Sequence, residues 1–103
     1  MYTWVQDVPI DRTSYGTIIE ALGEETPPGL QLHVALEQED GTLRYVDIWD
    51  DEESCERFTR ERLHPAVGAA LRAAQIHVEV EPPRVETGFV HMWGAALKDS
   101  VSA

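Results

Sequence analysis

The sequence predicts an α+β fold of the ferredoxin-like type, with two helices packed against one face of an antiparallel sheet. Three observations carry that prediction. The apolar pattern runs strand, helix, strand, strand, helix, strand, which is the βαββαβ order of a ferredoxin-like sandwich. Asp40-Gly41 divides the β-prone run of residues 29–50 into a hairpin. At 103 residues, 43% of them hydrophobic, the chain can build one modest core and has no room for a separate catalytic domain.

The first strand is expected over Tyr2–Val8, where Tyr2, Trp4, Gln6 and Val8 alternate with Thr3, Val5 and Asp7 before Pro9 ends it. Asp11 is placed to cap the first helix, Tyr15, Ile18, Ile19 and Leu22 recur at helical spacing, and Gly23 supplies a left-handed stop. Residues 24–29, with Pro27 and Pro28 adjacent, form a rigid connector too short to separate domains.

If Asp40-Gly41 is a two-residue turn, Glu39 faces Thr42 and Glu37 pairs with Arg44. That register puts Leu30, Leu32, Val34, Leu36, Leu43, Tyr45, Asp47 and Trp49 on one face. His33, Ala35, Val46 and Ile48 fall on the other, so His33 and Trp49 are expected on opposite sides of the sheet. Neither face is polar throughout. A sheet with helices enough for one side only implies that a second copy covers the other, and a twofold homodimer is expected.

Asp50 with Glu53 resembles a capping box for the second helix, whose inward stripe is Cys55, Phe58, Leu63, Val67 and Leu71. Pro65 lacks an amide hydrogen and disfavours helical geometry at His64, which predicts a break or kink there. Ile76, Val78 and Val80 alternate with polar residues as the last strand of the sandwich. Residues 82–103 form a C-terminal extension expected to lie along the partner subunit, so residues 1–103 make a single domain.

Acidic residues outnumber basic ones 19 to 8, a formal charge of -11 that repels nucleic acid and anionic membrane surfaces. The chain shows no secretion-type leader and no apolar run long enough for a membrane span, so a cytoplasmic location is expected. The single cysteine, Cys55, excludes an internal disulfide and fits a small core residue. His77 and His91 add two more imidazoles, and no metal site is expected. No glycine-rich phosphate loop or nucleophile elbow is present.

Residues 29–35, residues 45–53 with Trp49 closing the third strand before an acidic helix start, Phe58, and the His64-Pro65 pair together give the chain a likeness. It resembles the dimeric alpha-beta barrel superfamily, and within it the antibiotic biosynthesis monooxygenase-like proteins. The resemblance implies a dimeric α+β barrel and, for activity, a cofactor-independent monooxygenase acting on a polyketide- or quinone-type aromatic molecule. Haem-degrading members of the superfamily use a first-strand asparagine and a helix histidine that this chain lacks, position 59 being Thr59.

With that activity in view, Trp49 and Phe58 would hold an aromatic ring, with Tyr45, Leu32 and Leu63 beside them. As a plain core residue Trp49 needs no ligand, and that reading is favoured, though the two roles are not exclusive. Asp47, between Tyr45 and Trp49, is either a buried carboxylate that tunes acid–base work or the partner of an arginine across the dimer. The base would be His64 or His33, with the Trp49 face and His64 favoured. Oxygen would enter as substrate, with no flavin or metal. Two other readings remain open: a non-catalytic ligand-binding or interaction module of the same fold, and a polyketide cyclase or isomerase.

Overall fold

A computed structural model describes residues 1–73 and 81–94. Its elements are β1 (Tyr2–Val8), α1 (Arg12–Leu22), β2 (Leu30–Glu37), β3 (Leu43–Trp49), α2 (Glu52–Phe58), a π-helical turn (Thr59–Leu63), α3 (His64–Ala73) and β4 (Val85–Thr87). The sheet order is β2-β3-β1-β4, with every pairing antiparallel, and the fold is α+β and ferredoxin-like. The strand expected at Ile76, Val78 and Val80 lies outside the described residues. The edge next to β1 is formed by β4, where Trp4 pairs with Glu86.

Local signals set the element ends. The Asp11 carboxylate accepts the Ser14 amide at 2.8 Å, and Gly23, at φ 86°, returns its N–H to Ile19. The second helix starts one residue later than the capping-box reading placed it. Asp51 is the cap, accepting the Ser54 amide at 2.7 Å. Asp50 is engaged elsewhere: its amide donates to Gly29 O at 2.8 Å and its carboxylate accepts Gln31 Nε2 at 2.6 Å, tying the end of β3 to the start of β2.

The hairpin register differs by one residue from the two-residue-turn reading. Gln38 N–H donates to Thr42 O at 2.8 Å and Gly41 N–H to Gln38 O at 2.9 Å, so the loop has three residues and Gly41, at φ 87°, takes the left-handed position. Glu37 therefore pairs with Leu43, and His33 with Asp47. The expected Glu37–Arg44 pair does not form. Arg44 forks onto Asp7 at 2.7 and 3.0 Å, while Glu37 takes a fork from Arg12. Because strand side chains alternate, the slip carries His33 onto the face of Tyr45, Asp47 and Trp49 and carries Leu32 off it. An irregularity between Leu30 and Leu32 restores Leu30 to the Trp49 side, where it packs against the core of Trp4, Trp49 and Cys55.

The helix does not end at Pro65. His64 N–H bonds to Thr59 O, five residues back, and the π-turn carries the chain past the proline into α3. Widening the turn accommodates a residue that can make no amide hydrogen bond.

Gly29 has φ 87°, and a Cβ built there would lie 2.6 Å from both Cβ and Oγ of Ser54 at the start of α2. Gly41 has the same φ but meets nothing within 4 Å. Gly41→Ala is expected to cost about 1–2 kcal/mol, the left-handed penalty alone, and Gly29→Ala measurably more. Urea unfolding midpoints measure the difference, and an equal loss at the two positions would contradict the close contact.

Candidate active site

The helix-facing side of β3 presents Leu43, Tyr45, Asp47 and Trp49 in alternation. Since β3 lies between β2 and β1, Asp47 has His33 across one ladder and Trp4 across the other. Above this face, α1 contributes Tyr15, Ile18 and Leu22, and the π-turn region contributes Phe58, Thr59, Arg62, Leu63 and His64. Between them lies a half-open cavity of about 340 Å³. Residues 81–84 form its remaining wall. They are held by Gln6 Nε2 donating to Pro82 O at 2.7 Å and by Arg84, which stacks 4.5 Å from the Trp4 ring and donates to Thr59 Oγ1 at 2.9 Å. A second hollow of about 240 Å³ at that end shares Thr59, His64, Glu81, Pro82 and Arg84 with the main cavity.

Four of the cavity's side chains, Trp49, Asp47, His33 and Tyr15, form one hydrogen-bonded chain. Asp47 is 4% exposed, so its carboxylate must find donors in the protein. Oδ1 accepts from His33 Nδ1 at 2.6 Å and Oδ2 from Trp49 Nε1 at 3.0 Å. With the Nδ1 proton committed to Asp47, the neutral imidazole carries its lone pair on Nε2, which accepts the Tyr15 hydroxyl at 2.7 Å. Aromatic rings pack around the chain: Tyr45 lies edge-on to His33 with centroids 5.3 Å apart, and Phe58 is 5.6 Å from Trp49. Burial pushes the Tyr15 phenol above its usual range, and the nearby Asp47 charge adds to the shift. Tyr45 is pushed much further, first by burial and then by Tyr15 and Asp47. An imidazole with a carboxylate behind it and a phenol in front is an acid–base arrangement.

Seven of the eight site residues singled out from sequence line this cavity: His33, Asp47, Trp49, Tyr45, Phe58, Leu63 and His64. His33 and Trp49 share one face, contrary to the register expectation. His64 stands outside the Asp47 chain, with a side chain 54% exposed and Nε2 3.2 Å from Glu81. Leu32 is not in the lining, because the register pairs it with Ile48 on the outer face. The Asp47 carboxylate pairs with His33 in its own chain.

Tyr15, Trp4, Gln6 and Arg84 are site residues that the sequence reading did not single out. The available signal was slight: Tyr15 is the one hydroxyl in an otherwise aliphatic helix stripe. Arg62 donates to the carbonyls of Leu22 and Glu25 at 3.2 and 3.1 Å, closing the end of α1. Cys55 is fully buried, accepts from Trp4 Nε1 at 3.4 Å, and has its thiol pushed up by burial, as a core residue would. Among the described residues, no cluster of three or more His, Cys, Asp or Glu could hold a metal ion, and no helix is long and apolar enough to cross a membrane.

No protein-family model matches the chain, and no curated protein matches it. Among solved structures, it is similar to the crystal structure of a candidate antibiotic biosynthesis monooxygenase from Chloroflexus aurantiacus J-10-fl. The TM-score is 0.62 at 18% sequence identity, and the match covers 91% of this chain and 97% of that one. The likeness extends over almost the whole domain and shows that the two proteins share the ferredoxin-like α+β fold.

The chain's three tyrosines, Tyr2, Tyr15 and Tyr45, are all raised above the usual value near 10. Below pH ~10 folded and unfolded forms both hold these protons. Above it the unfolded form loses them first, so the stabilisation is lost as pH rises through the folded-state values. Tyrosinate absorbance is expected to appear together with cooperative alkaline unfolding, and Tyr45→Phe to flatten that limb of the stability curve. Independent ionisation of all three near pH ~10 in the folded protein would contradict the burial.

Proposed function

We propose that the cavity binds an aromatic small molecule, and that the protein is a cofactor-independent monooxygenase-like enzyme acting on a polyketide- or quinone-type substrate. The observation that carries this reading is the His33–Asp47 pair in the wall of an aromatic-lined cavity of about 340 Å³, a size that suits a small planar molecule. Trp49, Phe58 and Tyr45 provide ring faces for it, with Leu63 beside them. His33 acts as the base, Asp47 fixes its tautomer and stabilises the imidazolium that forms, and His64 stands at the rim.

For an anthrone-like substrate, removal of a proton leaves a delocalised anion that reduces oxygen directly. A carbon–oxygen bond forms to give a hydroperoxide. The oxygen–oxygen bond then breaks with loss of the remaining hydrogen on that carbon. In sum, CH₂ and O₂ become C=O and H₂O, and oxygen is the only oxidant. Oxygen-electrode assays with anthrone-like phenols test the reading. His33→Ala is expected to lower turnover by about 10²–10⁴-fold, whereas His64→Ala changes it only a few-fold. Substrate conversion without oxygen uptake would point instead to a cyclase or isomerase using the same base.

The enzyme is further proposed to work as a homodimer. Val5, Val34, Val46 and Ile48 share the outer face with Leu36, which is 48% exposed, and Val85, which is 61% exposed. Past β4, Val90 and Trp93 are 92% and 87% exposed in a segment suited to lie along a partner. Light scattering after size exclusion is expected to give twice the chain mass, and Val34→Asp to give the monomer; a monomeric wild-type protein would contradict the assembly.

A further inference from the structure

Hydrogen-bond accounting within the cavity restricts what can bind there. Both Asp47 oxygens hold a donor, and both His33 nitrogens hold a partner. The Nε2 lone pair, the site that would take a proton, is covered by the Tyr15 hydroxyl at 2.7 Å. A ligand therefore does not reach the imidazole in this arrangement. Two phenolic groups retain capacity for it. Tyr15 spends its proton on His33 and keeps its oxygen lone pairs, while the Tyr45 hydroxyl has no hydrogen-bond partner among the described residues. The two rings lie 5.6 Å apart and both line the cavity.

The geometry points to a substrate that presents a phenolic or enolic hydroxyl to the Tyr15–Tyr45 pair, with Tyr15 relaying its proton to His33. A hydroxyl is the group that matches both sites, donating to the Tyr15 oxygen and accepting from Tyr45 O–H. A carbonyl leaves Tyr15 without a donor, and an ether does the same. In the transfer the substrate O–H bond breaks and its proton joins Tyr15 Oη as the original Tyr15 proton moves to His33 Nε2. The products are a substrate phenolate held by Tyr45 O–H, a neutral Tyr15, and an imidazolium held by Asp47. Burial disfavours a Tyr15 phenolate, so the two proton movements occur together. This inference deepens the enzyme reading and rests on its cavity. It makes Tyr15 a catalytic residue and defines the substrate class by its hydroxyl.

Spectrophotometric titration with para-nitrophenol, and with para-nitroanisole as its ether counterpart, tests the inference without any oxygen chemistry. Wild-type protein is expected to bind the phenol at least about tenfold more tightly than the ether, one hydrogen-bonding group's worth. The bound phenol should show phenolate absorbance at a pH where the free probe is protonated. Tyr15→Phe should abolish that band, and Tyr45→Phe should weaken phenol binding by a similar factor. Equal binding of phenol and ether to the wild-type protein would overturn the inference even if neither variant folds. So would no binding of either probe, or a phenolate band that survives in Tyr15→Phe. Phenolate formation without oxygen uptake by any anthrone-like phenol would keep the inference and sink the monooxygenase reading.

Discussion

The site depends on a buried carboxylate at the centre of the sheet. An Asp47 charge removed from water is tolerable only with donors on both oxygens, and two reach it: His33 across the β2 ladder and Trp49 along the strand. This requirement settles three things together. It holds β2 and β3 in a register that puts His33 inward, it fixes the histidine tautomer that leaves Nε2 basic, and it orients the Trp49 indole so that its ring meets Phe58. A one-residue slip would send His33 to the outer face and strand the carboxylate. The pair thus serves both the hairpin and the proposed chemistry.

Much of the architecture was legible because its signals are local. Asp11 and Gly23 delimit α1 by side-chain and backbone geometry that depends on a few neighbouring residues, and strand alternation identified the faces of β1 and β3. The hairpin register was not legible. Asp40-Gly41 suits a two-residue loop, and it equally suits a three-residue loop in which glycine takes the left-handed position. What separates the two is tertiary: Arg44 finds Asp7 on β1, Glu37 finds Arg12 on α1, and Asp47 finds His33. A plausible Glu37–Arg44 pair argued for the wrong alternative, and the error exchanged His33 and Leu32 between faces. Tyr15 was hidden for a different reason. On a helix stripe a tyrosine reads as apolar bulk, and its hydroxyl acquires meaning only when the opposing strand is in register.

The second helix shows how one awkward residue shapes a site. Proline at position 65 can neither donate a hydrogen bond nor accept tight packing against the preceding turn. The chain responds with the π-turn at Thr59–Leu63, so the helix continues and its face is reset. Phe58, Thr59, Leu63 and His64 consequently border the cavity, while Arg62 reaches back to the carbonyls at the end of α1. Thr59 links this turn to the opposite wall by accepting from Arg84, whose guanidinium also covers Trp4. The roof of the cavity is thus fastened to both α1 and the segment after α3.

Charge accounting bears on the proposed phenol in so acidic a protein. The chain carries a formal charge of -11, and creating a further anion in a largely apolar cavity would ordinarily be unfavourable. The proposed relay creates none in sum. Before transfer the set of phenol, Tyr15, His33 and Asp47 holds a single negative charge, on Asp47. After transfer it holds a phenolate, an imidazolium and the same carboxylate, again a single negative charge overall. The imidazolium sits against Asp47 at the His33 Nδ1 contact of 2.6 Å, so the new positive charge is stabilised where the old negative one was waiting. A substrate arriving already ionised would bring a second negative charge beside Asp47 with no proton to neutralise either. If the proposed relay operates, the cavity favours the neutral hydroxyl form on entry and the anion only after the proton has been passed inward, so that ionisation would take place inside the site.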